Sequence, residues 1–340
     1  MAQKARIQWV DAFKGISMFA VYWVHYPEAA SGNLKYIGLI CAVPAFFFAS
    51  GLFATGERQH TPLQFVISRA KSILIPYCGF AIINCLVYLL YNRQNLSDFG
   101  QILLSFVQGR RNQIYAAAMW FLPCIFIVAC LYELAMKKIK NPKLLLLVSI
   151  CISIAAKLFW EEPVTVFSFN VALRYLAYYA LGDYIRQVSN TQKKKVQYGI
   201  ALGVVPSVIC VGLLMMKGGT AVTLLGTGTL QVTIMNVICT LSGIEIIYLC
   251  ALLLCKIPLV CQMGQYTVVY CGMETVARAL IPSLLSLVGI GFSPAKMSTV
   301  ILYNGLLFLF IYFIFVIPIQ KFCPILAGKQ RGFKERKICI

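Results

Sequence analysis

The sequence predicts an all-α fold, a polytopic integral membrane helical bundle with about ten transmembrane helices. Three observations carry this. Hydrophobic residues fill 60% of the 340 positions and charged residues only 12%. A soluble domain has roughly half its residues apolar and about a quarter charged, so this chain could not cover a water-facing surface. Apolar runs near the ~20 residues needed to cross a bilayer recur along the chain. The formal charge of +19 is concentrated in short segments between these runs, as expected of loops retained on the cytoplasmic face. The charge therefore reads as topology, not as a nucleic-acid footprint.

Ten spans follow in order. The first, 10–28, is apolar but carries Asp11 and Lys14 and lacks a small-residue cleavage pattern, so it reads as a span and not a signal peptide. The second, 36–55, contains Pro44 and ends at Ser50-Gly51, residues that permit a bend or close packing. The third, 73–91, begins near Ile75-Pro76-Tyr77, just after Arg69-Ala70-Lys71. The loop 92–117 is read with an amphipathic segment around Ile102 to Phe106. The fourth, 118–136, opens on Trp120-Phe121-Leu122-Pro123, an expected interfacial aromatic site. The fifth, 144–160, is short, and the sixth, 168–186, holds Arg174. The seventh, 199–216, is also short and could be organised differently with 220–229. The eighth to tenth, 230–254, 265–288 and 299–320, bring Glu245, Glu274 and Arg278 into apolar surroundings. Residues 1–328 read as one membrane domain and 329–340 as a basic cytoplasmic tail lying along the anionic inner surface.

The cations test the count. With ten spans and the N-terminus inside, twenty of the 30 Lys and Arg residues fall on the inner side and six on the outer. The remaining four, Lys14, Lys157, Arg174 and Arg278, lie within spans. This asymmetry predicts cytoplasmic N- and C-termini in a multi-pass protein of a bacterial inner, or plasma, membrane.

Ionisable residues within spans are costly and usually face a cavity or the bundle interior. Lys14 and His25 are eleven residues apart, so they share a helical face at about 16 Å axial separation. Asp11 is placed to pair with Lys14 one turn away. A histidine can take a proton from a hydroxyl near neutral pH and return it to a leaving group. The plainer reading of a lone histidine near a helix end is a bond to a carbonyl; the other histidine, His60, sits in a polar loop. Arg69 and Lys71 suit a phosphorylated ligand at the inner mouth, and equally suit lipid phosphate. Arg174 needs a partner, a cavity or a route to the interface; Glu245 and Glu274 could each pair with Arg174, Lys157 or Arg278. The 14 cysteines are scattered without a CxxC pair, so neither a disulfide framework nor a metal site is expected. No Gly-rich phosphate loop or GxSxG elbow is present.

The segment Arg6 to Ile16, with His25 beyond it, resembles the opening of the acyltransferase-3 family of membrane O-acyltransferases, in particular its sugar O-acetylase-like members. Pro44 to Gly51 is similar to that family's Pro-x-Phe-Phe-Phe-x-Ser-Gly, and Arg69 to Tyr77 to its basic stretch ending in Pro-Tyr. Trp120-Phe121-Leu122, Leu181-Gly182, Met263 to Thr267 and Pro324 to Gly328 resemble further landmarks in the same order. The chain departs from the pattern at Lys14, where Arg is frequent, at Ser72, where a second Arg is common, and at Glu274, where many relatives carry His.

The resemblance implies transfer of an acyl group, usually acetyl from acetyl-CoA, to a hydroxyl of a cell-envelope or exported carbohydrate or glycolipid. His25 is then the expected general base or acyl carrier, with Lys14 and Asp11 beside it in the catalytic set. Arg69 and Lys71 are expected to guide the anionic donor, and Ser50, Trp120, Arg174 and Glu274 are further candidate channel residues. No tightly bound cofactor and no metal are expected, because the thioester is already activated. The alternative is a transporter or flippase for a lipid-linked glycan; the absence of evident internal duplication weighs against it.

Overall fold

A computed structural model of the chain describes residues 6–26, 35, 38–54, 61–91, 97–160, 162–191, 230–287, 289, 296–328 and 337–338. Helix dominates. α1 (Gln8–Val24) starts after an extended Ile7 and carries Asp11 near its N-terminal turn, where a negative charge meets the positive end of the helix dipole. A π-helical turn, Gly38–Ala42, leads into α2 (Val43–Gly51).

α3 (Pro62–Arg69) starts with a capping box. The Thr61 hydroxyl accepts from the Gln64 amide at 3.3 Å, and the Gln64 side-chain oxygen accepts from the Thr61 amide at 3.0 Å. Pro62 follows at the first helical position, where its missing N–H is not needed. A π-helical turn, Ala70–Leu74, joins α3 to α4 (Ile75–Tyr91), making one 30-residue helix.

The amphipathic segment of the first long loop forms α5 (Phe99–Gln108), with Phe106 buried and Leu103, Leu104 and Val107 exposed. Gly109, at φ 56°, closes α5 in the left-handed conformation that glycine adopts without steric cost. α6 (Phe121–Lys138) and α7 (Pro142–Phe159) follow; Asn141 caps α7 by accepting from the Lys143 amide at 2.9 Å.

A short 3-10 turn, Val166–Ser168, precedes α8 (Phe169–Thr191). α9 (Leu230–Leu254), α10 (Pro258–Gln265) and α11 (Thr267–Leu287) come next. α12 (Met297–Ile311) continues through a π turn, Tyr312–Val316, into α13 (Ile317–Phe322). The extended pairing described is two residues long: β1 (Arg6–Ile7) lies parallel to β2 (Lys337–Ile338), bringing both ends of the chain to one end of the bundle.

Five helices among the described residues are long and apolar enough to cross a membrane: Pro62–Tyr91, Pro142–Phe159, Val237–Leu254, Thr267–Leu287 and Met297–Phe322. The expected count of about ten is higher, and the difference has a physical basis. α1 is 17 residues long and holds Asp11 and Lys14. The stretch Gly38–Gly51 is short, α6 contains Glu133, Lys137 and Lys138, and α8 contains Arg174, Asp183 and Arg186. The expected seventh span, 199–216, and His60 lie outside the described residues, as does the tail apart from Lys337–Ile338.

Two glycine-mediated crossings set the frame. A Cβ on Gly264 of α10 would stand 1.7 Å from the Asp11 carbonyl oxygen, and one on Gly15 would stand 2.4 Å from that of Val260. Backbones of α1 and α10 thus touch. α2 and α8 cross in the same way: a Cβ on Gly51 would be 1.9 Å from the Tyr179 carbonyl oxygen, and one on Gly182 2.2 Å from that of Phe48. Small residues permit such close approach between apolar helices. Around these crossings, Tyr22, Phe47, Phe80, Tyr179 and Tyr270 are fully buried in one aromatic-rich core.

Candidate functional site

α1 presents Met18, Val21 and His25 at helical spacing on the face that begins with Lys14, and these three line a cavity of about 270 Å³. Leu39 and Val43, from the π turn and α2, form a second wall with Phe46. Arg111 and Asn112 approach from the turn after α5, and Trp120, Phe121 and Leu122 from the start of α6. Thr267, Val268 and Cys271 close the cavity from α11.

His25 sits at the C-terminal boundary of α1, where its backbone N–H still bonds to the Tyr22 carbonyl at 3.2 Å. Its Nδ1 lies 2.5 Å from Oε1 of Glu274 on α11. The same Oε1 accepts from Nε of Arg278, one turn further along, at 2.9 Å. Glu274 has 3% side-chain exposure against 27% for His25, so the carboxylate is the buried partner and the imidazole the accessible one. A buried carboxylate is tolerable when paired and hydrogen-bonded, and Arg278 supplies that countercharge.

Arg278 is itself held. One guanidinium nitrogen donates to the Tyr22 carbonyl at 3.0 Å, and the group lies 4.6 Å from the Tyr26 ring centroid. The Tyr26 hydroxyl donates to Asn304 Oδ1 at 2.9 Å, tying α12 to the network. With Glu274 ionised, the short contact assigns the hydrogen to His25 Nδ1. Nε2 is then the nitrogen with the basic lone pair. A histidine whose tautomer is set by a carboxylate, on the wall of a partly open cavity, is equipped to remove a proton from a hydroxyl and hold it as an imidazolium.

The remaining candidates divide. Trp120 lines the cavity, with the Arg111 guanidinium 5.1 Å from its ring centroid. Lys14 shares the face of His25 but lies outside the lining, its ammonium 5.4 Å from the Phe53 ring centroid. Asp11 is buried at the α1–α10 crossing, where Gln265 Nε2 donates to its Oδ2 at 3.4 Å. Arg69 is half-buried with its guanidinium 5.2 Å from the Phe65 ring centroid, and Lys71 is exposed. Ser50 is half-buried at the end of α2. Arg174 is half-buried, and its charge and that of Arg111 both reach Cys124. None of Asp11, Lys14, Arg69, Lys71, Ser50 or Arg174 lines this cavity.

Sequence reasoning had Arg111 only as a loop charge, and Asn112 and Cys271 not at all. One signal was available: Arg110-Arg111 is an adjacent cation pair in an outer loop, a class of segment otherwise poor in cations, and it stands shortly before Trp120. Asn112 and Cys271 reach the site through a backbone turn and a helix register that the sequence pattern does not display.

No curated protein and no solved structure matches the chain. Residues 7–320 match the family model described as an acyltransferase domain, essentially the whole chain, and the protein therefore belongs to the acyltransferase-3 family.

Proposed function

We propose that this membrane acyltransferase moves an acetyl group from acetyl-CoA to a carbohydrate hydroxyl of the cell envelope or of an exported glycan. The observation that carries the reading is the His25 Nδ1–Glu274 contact of 2.5 Å on the wall of a 270 Å³ cavity.

His25 Nε2 takes the proton of the acceptor hydroxyl as its oxygen attacks the thioester carbonyl. The C–O bond forms, the C–S bond breaks, and the proton passes from the imidazolium to the departing thiolate. Glu274 holds the ring in one orientation and faces the positive charge that appears on it. Such acid–base assistance contributes on the order of 10²–10⁴ in rate, and holding the thioester and the hydroxyl side by side at the cavity adds the advantage of proximity.

Lys14, with Asp11, lies further along α1 on the side where charge asymmetry places the cytoplasm. In this reading Lys14, Arg69 and Lys71 guide the anionic donor from that side. Both termini are cytoplasmic and the protein spans a bacterial inner membrane. The joining of β1 to β2 supports termini on a common side.

The test uses membranes holding the protein or His25→Ala at matched levels, acetyl-CoA labelled in its acetyl group, and an extract of envelope glycans. Base-labile label in glycan, lost in His25→Ala, is expected. Equal label in the two samples removes His25 from the mechanism.

A further inference from the structure

The cavity wall carries a permanent charge that the proton transfer above does not use. Arg111 carries a guanidinium that stays charged, and it lines the same cavity as His25. Its contacts are neutral: the Trp120 ring face at 5.1 Å, and the Tyr175 hydroxyl at 3.5 Å from one terminal nitrogen. Among the described residues no carboxylate pairs with it. Most of the planar fork's five N–H donors are thus left for a ligand.

The backbone beneath Arg111 is fixed. Its amide donates to Ser168 Oγ at 2.9 Å, and that hydroxyl donates to the Gly109 carbonyl at 3.0 Å. Asn112, Phe167 and Ser168 have φ of 63°, 53° and 53°. Left-handed backbone at residues with side chains is uncommon; it persists where surroundings over-determine it, and it clusters at ligand clamps. The two strained turns grip each other, and the gripped residue presents a guanidinium to the cavity that His25 lines.

We propose that Arg111 is the anion subsite of this cavity, binding a carboxylate or phosphate carried by the acceptor whose hydroxyl meets His25. The inference rests on the acyltransferase reading and narrows its acceptor to an acidic or phosphorylated glycan. A guanidinium matches either group in two parallel hydrogen bonds. The walls beside it are largely apolar, so a neutral acceptor leaves the fork desolvated and unpaired, a penalty that discriminates strongly.

The test measures binding directly, without turnover, in lipid nanodiscs. The probes are methyl glucuronide, glucose 6-phosphate and neutral methyl glucoside. Wild-type protein is expected to bind at least one charged probe about tenfold or more tightly than the neutral one, the preferred probe separating carboxylate from phosphate. Arg111→Gln is expected to abolish the preference, and Arg111→Lys to retain part of it, which guards against a folding defect. Equal binding of all probes, a preference surviving in Arg111→Gln, or displacement of the charged probe by an equal concentration of coenzyme A overturns the assignment. Charge preference with no acyl transfer from any donor instead sinks the enzymatic reading and leaves the subsite standing.

Discussion

Glu274 shows what one residue can and cannot reveal before folding. Its position in an apolar run marked it as expensive, and the resemblance marked it as a departure, but three cations were candidate partners. The structure chooses Arg278, one helical turn away on α11, and adds His25 from α1, 249 positions distant. No local pattern encodes that second contact, because it depends on how two helices are rotated against each other. The choice has a kinetic consequence. Glu274→Gln keeps the shape and removes the charge that faces the imidazolium. The expected result is a fall in kcat of about 10- to 100-fold, with a much smaller change in KM, since loss of a partner that orients a histidine typically costs one to two orders of magnitude. Initial rates of labelled acetyl transfer at saturating donor check it; an unchanged kcat would separate Glu274 from catalysis.

Helices were legible where apolar pattern and end signals agreed. Thr61-Pro62 with Gln64, and Asn141-Pro142, announce helix starts in the sequence, and both caps form. The amphipathic stretch near Ile102 to Phe106 likewise becomes α5. The glycine crossings were harder to read. Leu181-Gly182 stood out as a family landmark, but its purpose emerges only beside Phe48 and Leu52, against which a Gly182 Cβ would collide. Gly182→Ala is therefore expected to push α8 away from α2, destabilising the fold by about 1–3 kcal/mol as other overpacked contacts do. Thermal unfolding in detergent, compared with Gly305→Ala, where a Cβ meets nothing within 4 Å, isolates the effect. Equal melting temperatures for the two variants would refute the crossing.

At the scale of the whole molecule, composition alone identified a membrane bundle, because 60% hydrophobic residues cannot be hidden in a soluble chain of this size. Counting spans was less direct. The helices that build the site depart most from an ideal apolar span: α1 is short and ends at His25, and the second span breaks into a π turn and α2. Function thus erodes the hydropathy signal where the cavity forms. The orientation proposed from the cations predicts that reporters fused after residue 340 and before residue 1 give a cytoplasmic signal, whereas a tag in the 109–120 turn is reached from outside intact cells. Opposite signals from the two termini would require an odd number of spans.

The π turn at Ala70–Leu74 acts as a phase correction. Phe65 and Tyr77, 1% and 5% exposed, are buried on the same long rod. Twelve residues of unbroken α-helix would set them about 120° apart around the axis. A π turn absorbs one residue, reducing the offset to about 20°. The rod therefore keeps one inward meridian from Phe65 to Tyr77, and a periodicity analysis that assumes a constant pitch would assign its two halves to different sides.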